Sequence, residues 1–101
     1  MSKMLFGGFK LPQDYRKLTS QERRRVREQY IEEQNGRCAY CGEFLDSNPS
    51  EEVRNKWINK SLFPDSMFNH PVHLDHDHDT GMTRGAVHAK CNAVLWQYHG
   101  K

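Results

Sequence analysis

Apolar residues recur at helical spacing near the start of the chain, where Val26 and Tyr30 lie four positions apart. Residues 19–22 (Thr-Ser-Gln-Glu) have the form of a capping box, in which a hydroxyl and a carboxylate satisfy the exposed amides of a first helical turn. The pair Asn35-Gly36 is typical of a helix end. The pattern therefore predicts a helix between these two signals.

A second pattern, in the C-terminal third, predicts two strands and a helix. Residues 72–76 have strand character, residues 79–81 (Asp-Thr-Gly) are a turn, and residues 82–87 return as a second strand. Residues 89–99 then have helical spacing and precede Gly100, a common helix terminator. Two strands and a helix around one pocket form a ββα unit over residues 72–99, so the predicted fold class is α+β.

Two other segments have weaker patterns. Residues 1–18 are expected to be an arm with little regular structure, because glycine and proline interrupt its periodicity. The arm residues expected to dock on the body are Leu5, Phe6, Phe9, Leu11 and Tyr15. Residues 43–72 are expected to be a packing insertion. Within it, residues 51–62 are expected to form a short helix that turns Val53, Trp57 and Ile58 inward.

The small apolar content limits the core. The chain has 101 residues, of which 36% are hydrophobic, and its mean hydropathy is −0.96. We therefore expect one domain that needs a staple. No stretch approaches the roughly 18 apolar residues of a membrane span, and the first residues lack the apolar run of a signal peptide. Three cysteines, an odd number, favour a reducing cytoplasm and metal ligation over disulfides.

The cysteines fall into two ligand pairs of matching spacing. Cys38 and Cys41 form a Cys-x-x-Cys-Gly zinc knuckle, in which the spacer lets both thiolates reach one ion at about 2.3 Å. His88 and Cys91 have the same spacing at the start of the last helix and complete a Cys3His site. A redox-active Cys-x-x-Cys is the competing interpretation, but it would need a βαβ setting and no second pair. A structural zinc site, the staple of this small domain, is the stronger prediction.

Three histidines and three aspartates occupy six of the seven positions 73–79. A packed core does not hold such a density of ionisable groups, because each would have to be desolvated and paired. The pattern instead predicts a site where carboxylates and imidazoles converge on a divalent cation, with a histidine able to move protons.

The net charge of +2 is unevenly distributed. Residues 1–37 contain nine Lys and Arg against five Asp and Glu, a net charge of +4, whereas residues 38–101 have a net charge of −2. Much of the excess lies on the first predicted helix, at Arg23, Arg24 and Arg27. A basic helix face beside a metal site suits an enzyme that binds a polyanion, although solubility is its alternative role.

Together these motifs resemble the HNH (ββα-metal, or His-Me finger) nucleases, and most of all the recombination endonuclease VII branch, typified by phage Holliday-junction resolvases. The matching motifs are Cys-x-x-Cys-Gly at 38–42, Leu-Asp-His-Asp-His at 74–78, Thr-Gly at 80–81, Arg-Gly at 84–85 and Cys-Asn at 91–92. The resemblance covers about residues 34–96 and the helix before them. Two positions depart from it, because the family usually has cysteine at His88 and some relatives have an acidic residue at Leu95.

The resemblance implies a role for each matching residue of the site. Asp75 and Asn92 would hold a catalytic Mg²⁺ or Mn²⁺. His76 would be the general base that deprotonates the attacking water, and His78 would orient the phosphate or complete the metal shell. Because adjacent residues of a flat strand point to opposite faces, Asp75 and His76 reach one phosphate only if the first strand ends at His76.

Contacts with DNA are expected from basic side chains around this site. Arg84 matches phosphate oxygens bidentately, or alternatively pins the hairpin through Asp79. Asp77 is expected to support the loop or a histidine. The full set of predicted DNA-binding residues is Arg23, Arg24, Arg27, Arg84 and Lys90.

The expected function is therefore a metal-dependent DNA endonuclease, with residues 19–101 as the nuclease domain. A phage- or bacterium-encoded protein of the cytoplasm is expected, with packaging or recombination machinery as candidate partners and no membrane. One alternative is a zinc-stabilised nucleic-acid-binding module without catalysis, which would be indifferent to His76 and Asn92. Another is a metal-sensing protein. The state of association, monomer or dimer, stays open, as does the choice between Mg²⁺ and Mn²⁺.

Overall fold

Three helices and one two-stranded antiparallel sheet form the regular part of the computed structural model, which describes residues 8–100. The helices are α1 (Ser20–Glu33), α2 (Glu51–Arg54) and α3 (Ala89–His99), and the strands are β1 (Val72–His76) and β2 (Thr83–His88). Short 3-10 turns cover Tyr15–Lys17, Lys60–Leu62 and Asp65–Asn69. The predicted α+β class and ββα order are confirmed. In the described residues, no helix has the length and apolar character needed to cross a bilayer.

Both predicted signals of α1 are present. The Thr19 hydroxyl accepts a hydrogen bond from the Glu22 amide at 3.1 Å, and the Glu22 carboxylate accepts one from the Thr19 amide at 2.9 Å. Past the C-terminal end, Asn35 and Gly36 both have positive φ angles, of 56° and 77°. The capping box and the left-handed pair therefore set the length of α1.

The hairpin contains a bulge at the site. Asp75 lies opposite Gly85, but the next pair is His76 with Thr83, so Arg84 is an extra residue in β2. A bulge bends its strand and changes the direction of the side chains around it. β1 ends at His76, as the requirements of the site predict.

The N-terminal arm is joined to the hairpin by its backbone. The Thr83 amide donates to the Gln13 carbonyl at 2.9 Å, and the Gln13 amide donates to the Thr83 hydroxyl at 2.9 Å. Asp14 forms an isolated antiparallel bridge with Met82. Because Met82 pairs with the arm, β2 begins and ends one residue later than predicted.

The described core consists of two clusters of buried residues. The larger cluster is Cys38, Leu45, Val53, Ala86, Val87, Cys91 and Val94. The smaller cluster is Leu18, Val26 and Leu74, with Phe9, Leu11 and Tyr15 packed against it. Three of the predicted docking residues therefore do dock, whereas Leu5 and Phe6 lie outside the described residues. The Gln34 side chain ties α1 to the sheet, since it exchanges two hydrogen bonds of 2.9 Å with the backbone of Ala86.

The predicted helix over residues 51–62 is wrong in its length. α2 ends at Arg54, and Trp57 is 68% exposed instead of facing inward. The cause is a set of tertiary hydrogen bonds from α3. The Trp57 carbonyl accepts from the Tyr98 hydroxyl at 2.7 Å and from the Gln97 amide at 3.1 Å, which holds this segment away from helical geometry.

Candidate metal centre and active site

The four predicted zinc ligands form one cluster. Cys38 and Cys41 lie in the loop after α1, His88 ends β2, and Cys91 lies in the first turn of α3. Their sulfur and ring nitrogen atoms all lie within 4.8 Å of one another. Tetrahedral zinc with bonds of about 2.3 Å places its sulfur ligands about 3.8 Å apart. The Cys3His cluster therefore indicates a zinc site.

The hydrogen bonds of His88 select the tautomer that a metal requires. Its Nε2 lies 2.9 Å from the Phe44 carbonyl and 3.0 Å from the Ser47 carbonyl. Because both partners are acceptors, Nε2 holds the proton and Nδ1 presents a lone pair. That Nδ1 lies 3.5 Å from the Cys41 sulfur and 3.6 Å from the Cys91 sulfur. Backbone carbonyls thus orient the imidazole toward the cluster, as they do around metal-bound histidines.

The pKa shifts of the cysteines in the cluster are also consistent with a bound cation. A hydrogen bond from Cys91 lowers the pKa of Cys38, whereas the hydrogen bond to Cys38 and burial raise the pKa of Cys91. Between these two sulfurs, the shifts favour the thiolate at Cys38 and the protonated thiol at Cys91. Three thiolates in one cluster, two of them buried, require a compensating charge, which a divalent ion supplies.

A cleft of about 250 Å³ lies beside β1. Among its lining residues are His76, His78 and Asn92, three of the four predicted catalytic residues, together with Trp96. The ring centroids of His76 and His78 are 4.4 Å apart, and His78 lies 3.7 Å from Trp96. The cleft thus brings together side chains from the end of β1 and from the first turns of α3.

Asp75, the fourth predicted catalytic residue, does not line this cleft. It is buried and bound by Arg84, whose Nη2 and Nε donate to its two carboxylate oxygens at 2.9 and 3.1 Å. The same guanidinium donates to the His76 carbonyl at 3.1 Å. Arg84 therefore pins the hairpin through Asp75, and its role as a phosphate clamp stays a prediction.

The neighbouring loop is held by its own aspartate. The Asp77 carboxylate accepts hydrogen bonds from the amides of Asp79 and Thr80, at 2.7 and 3.1 Å. The expectation that Asp77 supports the loop is confirmed.

Asn92 is oriented by His73. Its amide nitrogen lies 3.1 Å from Nδ1 of His73. Since an amide nitrogen only donates, Nδ1 is the acceptor, and the Asn92 oxygen is the atom that remains for a ligand. Burial lowers the pKa of His73, which keeps this acceptor unprotonated.

The protonation state of the cleft histidines suits a proton acceptor. Burial lowers the pKa of His76, and the charge of His78 lowers it further. Burial also lowers the pKa of His78. An imidazole must be neutral to accept a proton, so both rings are in the competent form near neutral pH.

The predicted DNA-binding residues are not gathered in one place. Arg23 and Arg27 line the cleft, because they lie on the face of α1 that borders it. Arg24 forms an i,i+4 ion pair on the exposed face of α1, and the Lys90 ammonium donates to a carbonyl of α2 at 2.7 Å. Only part of the basic set therefore adjoins the histidines.

Two residues of the cleft have no local sequence signal. Tyr15 and Trp96 surround the predicted catalytic residues, but neither belongs to a motif with recognisable spacing. Tyr15 lies 61 positions before His76, and only the docking of the arm brings the two together.

Residues 64–100 match the sequence model of the recombination endonuclease VII family. This segment is endonuclease VII-like. It contains the hairpin, α3, the cleft histidines and the second zinc ligand pair, and it begins after the first pair. Comparison with curated proteins and with solved structures gives no match. The endonuclease VII-like segment supports a nuclease that acts on DNA, and the family resemblance is confirmed for the motifs that lie within residues 64–100.

Proposed function

We propose that this protein is an HNH-type DNA endonuclease that hydrolyses phosphodiester bonds with the help of a divalent ion. The observation that supports this most is the cleft itself. His76, His78 and Asn92 line one concave site, and Arg23 and Arg27 lie at the same site. Arginine side chains there suit a phosphate backbone, and neutral imidazoles suit the activation of water.

The proposed reaction assigns the proton transfer to His76. Its neutral imidazole accepts a proton from water, and the water oxygen forms a bond to phosphorus as the bond from phosphorus to the 3′ oxygen breaks. The leaving oxygen takes up a proton, so the products are a 5′-phosphate and a 3′-hydroxyl. General-base catalysis of this kind contributes roughly 10²- to 10⁴-fold to the rate.

Asp75 and Asn92 are the proposed holders of a catalytic Mg²⁺ or Mn²⁺. A carboxylate and an amide oxygen are the hard donors that these ions prefer, with water filling the other positions. When bound, such an ion would neutralise the charge that develops on the phosphate. In the structure, Arg84 supplies the positive charge beside Asp75. We propose that Arg84 turns to the phosphate when Asp75 binds a cation.

The runner-up function is a zinc-stabilised module that binds nucleic acid without cutting it. The bidentate ion pair between Asp75 and Arg84 favours this reading, because it engages both oxygens of the proposed metal ligand. Only the nuclease requires His76. The binding module depends on the zinc cluster and the basic face, and neither of these needs His76.

The test is nicking of supercoiled plasmid with and without Mg²⁺ or Mn²⁺. His76→Ala is expected to lower the nicking rate about 10²- to 10⁴-fold with zinc content unchanged. His99→Ala is the matched control, since His99 lies at the exposed end of α3 and contacts Tyr40. Nicking retained by His76→Ala would remove His76 as the base.

If neither wild type nor variant nicks plasmid or a four-way junction, while zinc is bound and the fold is intact, the result would support the binding module instead of the nuclease. We further propose a reducing compartment such as the cytoplasm, because the three cysteines are needed as thiolates. Recombination or packaging machinery of a phage is the proposed setting, on the strength of the endonuclease VII-like segment.

A further inference from the structure

The rings of Tyr15 and His76 are stacked face to face. Their centroids are 3.9 Å apart and their planes differ by 7°. Tyr15 belongs to the arm, outside the segment that matches the endonuclease VII family. The proposed general base therefore has, as its stacking partner, a residue from a distant part of the chain.

Tyr15 is itself held from two directions. The Arg23 guanidinium lies 3.8 Å from the centroid of the Tyr15 ring and donates to the Tyr15 carbonyl at 3.0 and 3.1 Å. The Tyr15 amide donates to the Gly81 carbonyl, in the hairpin loop, at 2.8 Å. The tyrosine is thus fixed to α1 and to the loop that follows His76.

The His76 ring needs such a partner because its own torsions restrict it weakly. The second side-chain torsion of histidine is broad and roughly two-fold, so the ring plane is set by its surroundings. A general base must be held within about 10–20° of its productive direction. A nearly parallel aromatic ring at van der Waals distance limits the rotation of that plane.

We propose that Tyr15 is a positioning residue that fixes the plane of the His76 imidazole and so aims its proton-accepting nitrogen into the cleft. This inference rests on the proposed function of His76, but the stacking is independent of it. A purely structural role is the alternative, because Tyr15 also packs against the smaller core cluster. The experiment must separate the two.

Three variants provide the comparison. Tyr15→Phe keeps the ring, Tyr15→Leu removes it and keeps an apolar group, and Leu11→Ala weakens arm packing at a residue that also contacts the smaller cluster. The first readout is the NMR chemical shifts of the His76 ring protons, which a stacked tyrosine moves upfield. We expect this upfield shift in wild type, Tyr15→Phe and Leu11→Ala, and its loss in Tyr15→Leu.

The second readout is single-turnover cleavage over a range of enzyme concentrations. Tyr15→Leu is expected to lower the saturating rate about 10- to 100-fold, with the half-saturation concentration changed less than about two-fold, since the basic residues remain. Tyr15→Phe is expected to restore the rate. Should Tyr15→Leu fail to fold, Tyr15→Met replaces it as the variant without an aromatic ring, with the same expected losses of the upfield shift and of the saturating rate.

The proposal is overturned if His76 keeps its upfield shift in Tyr15→Leu, or if Leu11→Ala lowers the saturating rate as much as Tyr15→Leu does. If the wild type cleaves no DNA, the proposed function fails. The NMR comparison then still decides whether Tyr15 fixes the His76 ring, so the two failures are distinguishable.

Discussion

At the scale of single residues, Asp75 and Arg84 form an ion pair in which one partner is enclosed. The Asp75 side chain is 8% exposed and that of Arg84 is 30% exposed. Removing one partner of such a pair leaves a buried charge unmatched, which costs more than the pair itself contributes. A cation bound to Asp75 would supply the positive charge that Arg84 supplies to this carboxylate in the structure.

Arg84→Ala is therefore expected to lower the free energy of unfolding by about 1–3 kcal/mol, because the Asp75 carboxylate loses its partner. Added Mg²⁺ or Mn²⁺ is expected to raise the Tm of this variant more than that of the wild type, since binding to the native state stabilises it. Thermal unfolding with and without the ion measures both effects. Arg24→Ala is the control, because Arg24 pairs only on an exposed helix face. An equal response to the ion in all three proteins would count against Asp75 as a metal ligand.

At the scale of elements, the hairpin loop is where the arm and the catalytic strand meet. Gly81 has a φ angle of +80°, and a Cβ there would lie 2.7 Å from a carboxylate oxygen of Asp14 and 2.7 Å from the Arg16 guanidinium carbon. Its carbonyl also accepts the Tyr15 amide. The loop therefore depends on glycine both for its backbone and for the closeness of the arm.

Gly81→Ala is expected to destabilise the protein by more than the roughly 1–2 kcal/mol of left-handed strain alone, because the methyl group also displaces Asp14 and Arg16. Gly100→Ala is the matched control, since Gly100 has a φ angle of +67° with nothing within 4 Å of the added Cβ. Chemical denaturation of the two variants gives the comparison. Equal losses of unfolding free energy in the two variants would mean that the arm shifts to accommodate the methyl group at no cost in stability.

At the scale of the whole molecule, the Cys3His cluster joins three parts of the chain. Its ligands come from the loop after α1, from β2 and from α3. Even the larger of the two core clusters is small, and it includes the zinc ligands Cys38 and Cys91. A structural zinc ion contributes an apparent 10–16 kcal/mol, comparable to the whole stability of a domain of this size.

Cys38→Ser is expected to lose the zinc and to leave the domain largely unfolded, because binding free energy is folding free energy in so small a core. Zinc content by elemental analysis and helicity by circular dichroism would measure this, with a chelator on the wild type as an independent route to the same state. A Cys38→Ser protein that stays folded and zinc-loaded would show that the ligand assignment is wrong.

Local chemistry made several features of this protein predictable from its sequence. The capping box and the Asn35-Gly36 pair mark α1 because helix ends are satisfied by nearby residues. The ββα order and the membership of the zinc cluster follow from periodicity and from the spacing of metal ligands, which depend on a few adjacent residues. The expected end of β1 at His76 is confirmed, although Asp75, whose reach to a phosphate was the reason for expecting it, is buried against Arg84.

The tertiary structure decided whatever depends on contacts between distant residues. α3 draws the Trp57 carbonyl out of helical geometry, which no pattern within residues 51–62 shows. The pairing of Arg84 with Asp75, the orientation of Asn92 by His73, and the stacking of Tyr15 on His76 all join segments that only the fold brings together. Ligand types and spacings are local and can be read along the chain. The direction in which each side chain points is fixed by its packing, so it is set only when the arm, α1 and the hairpin meet.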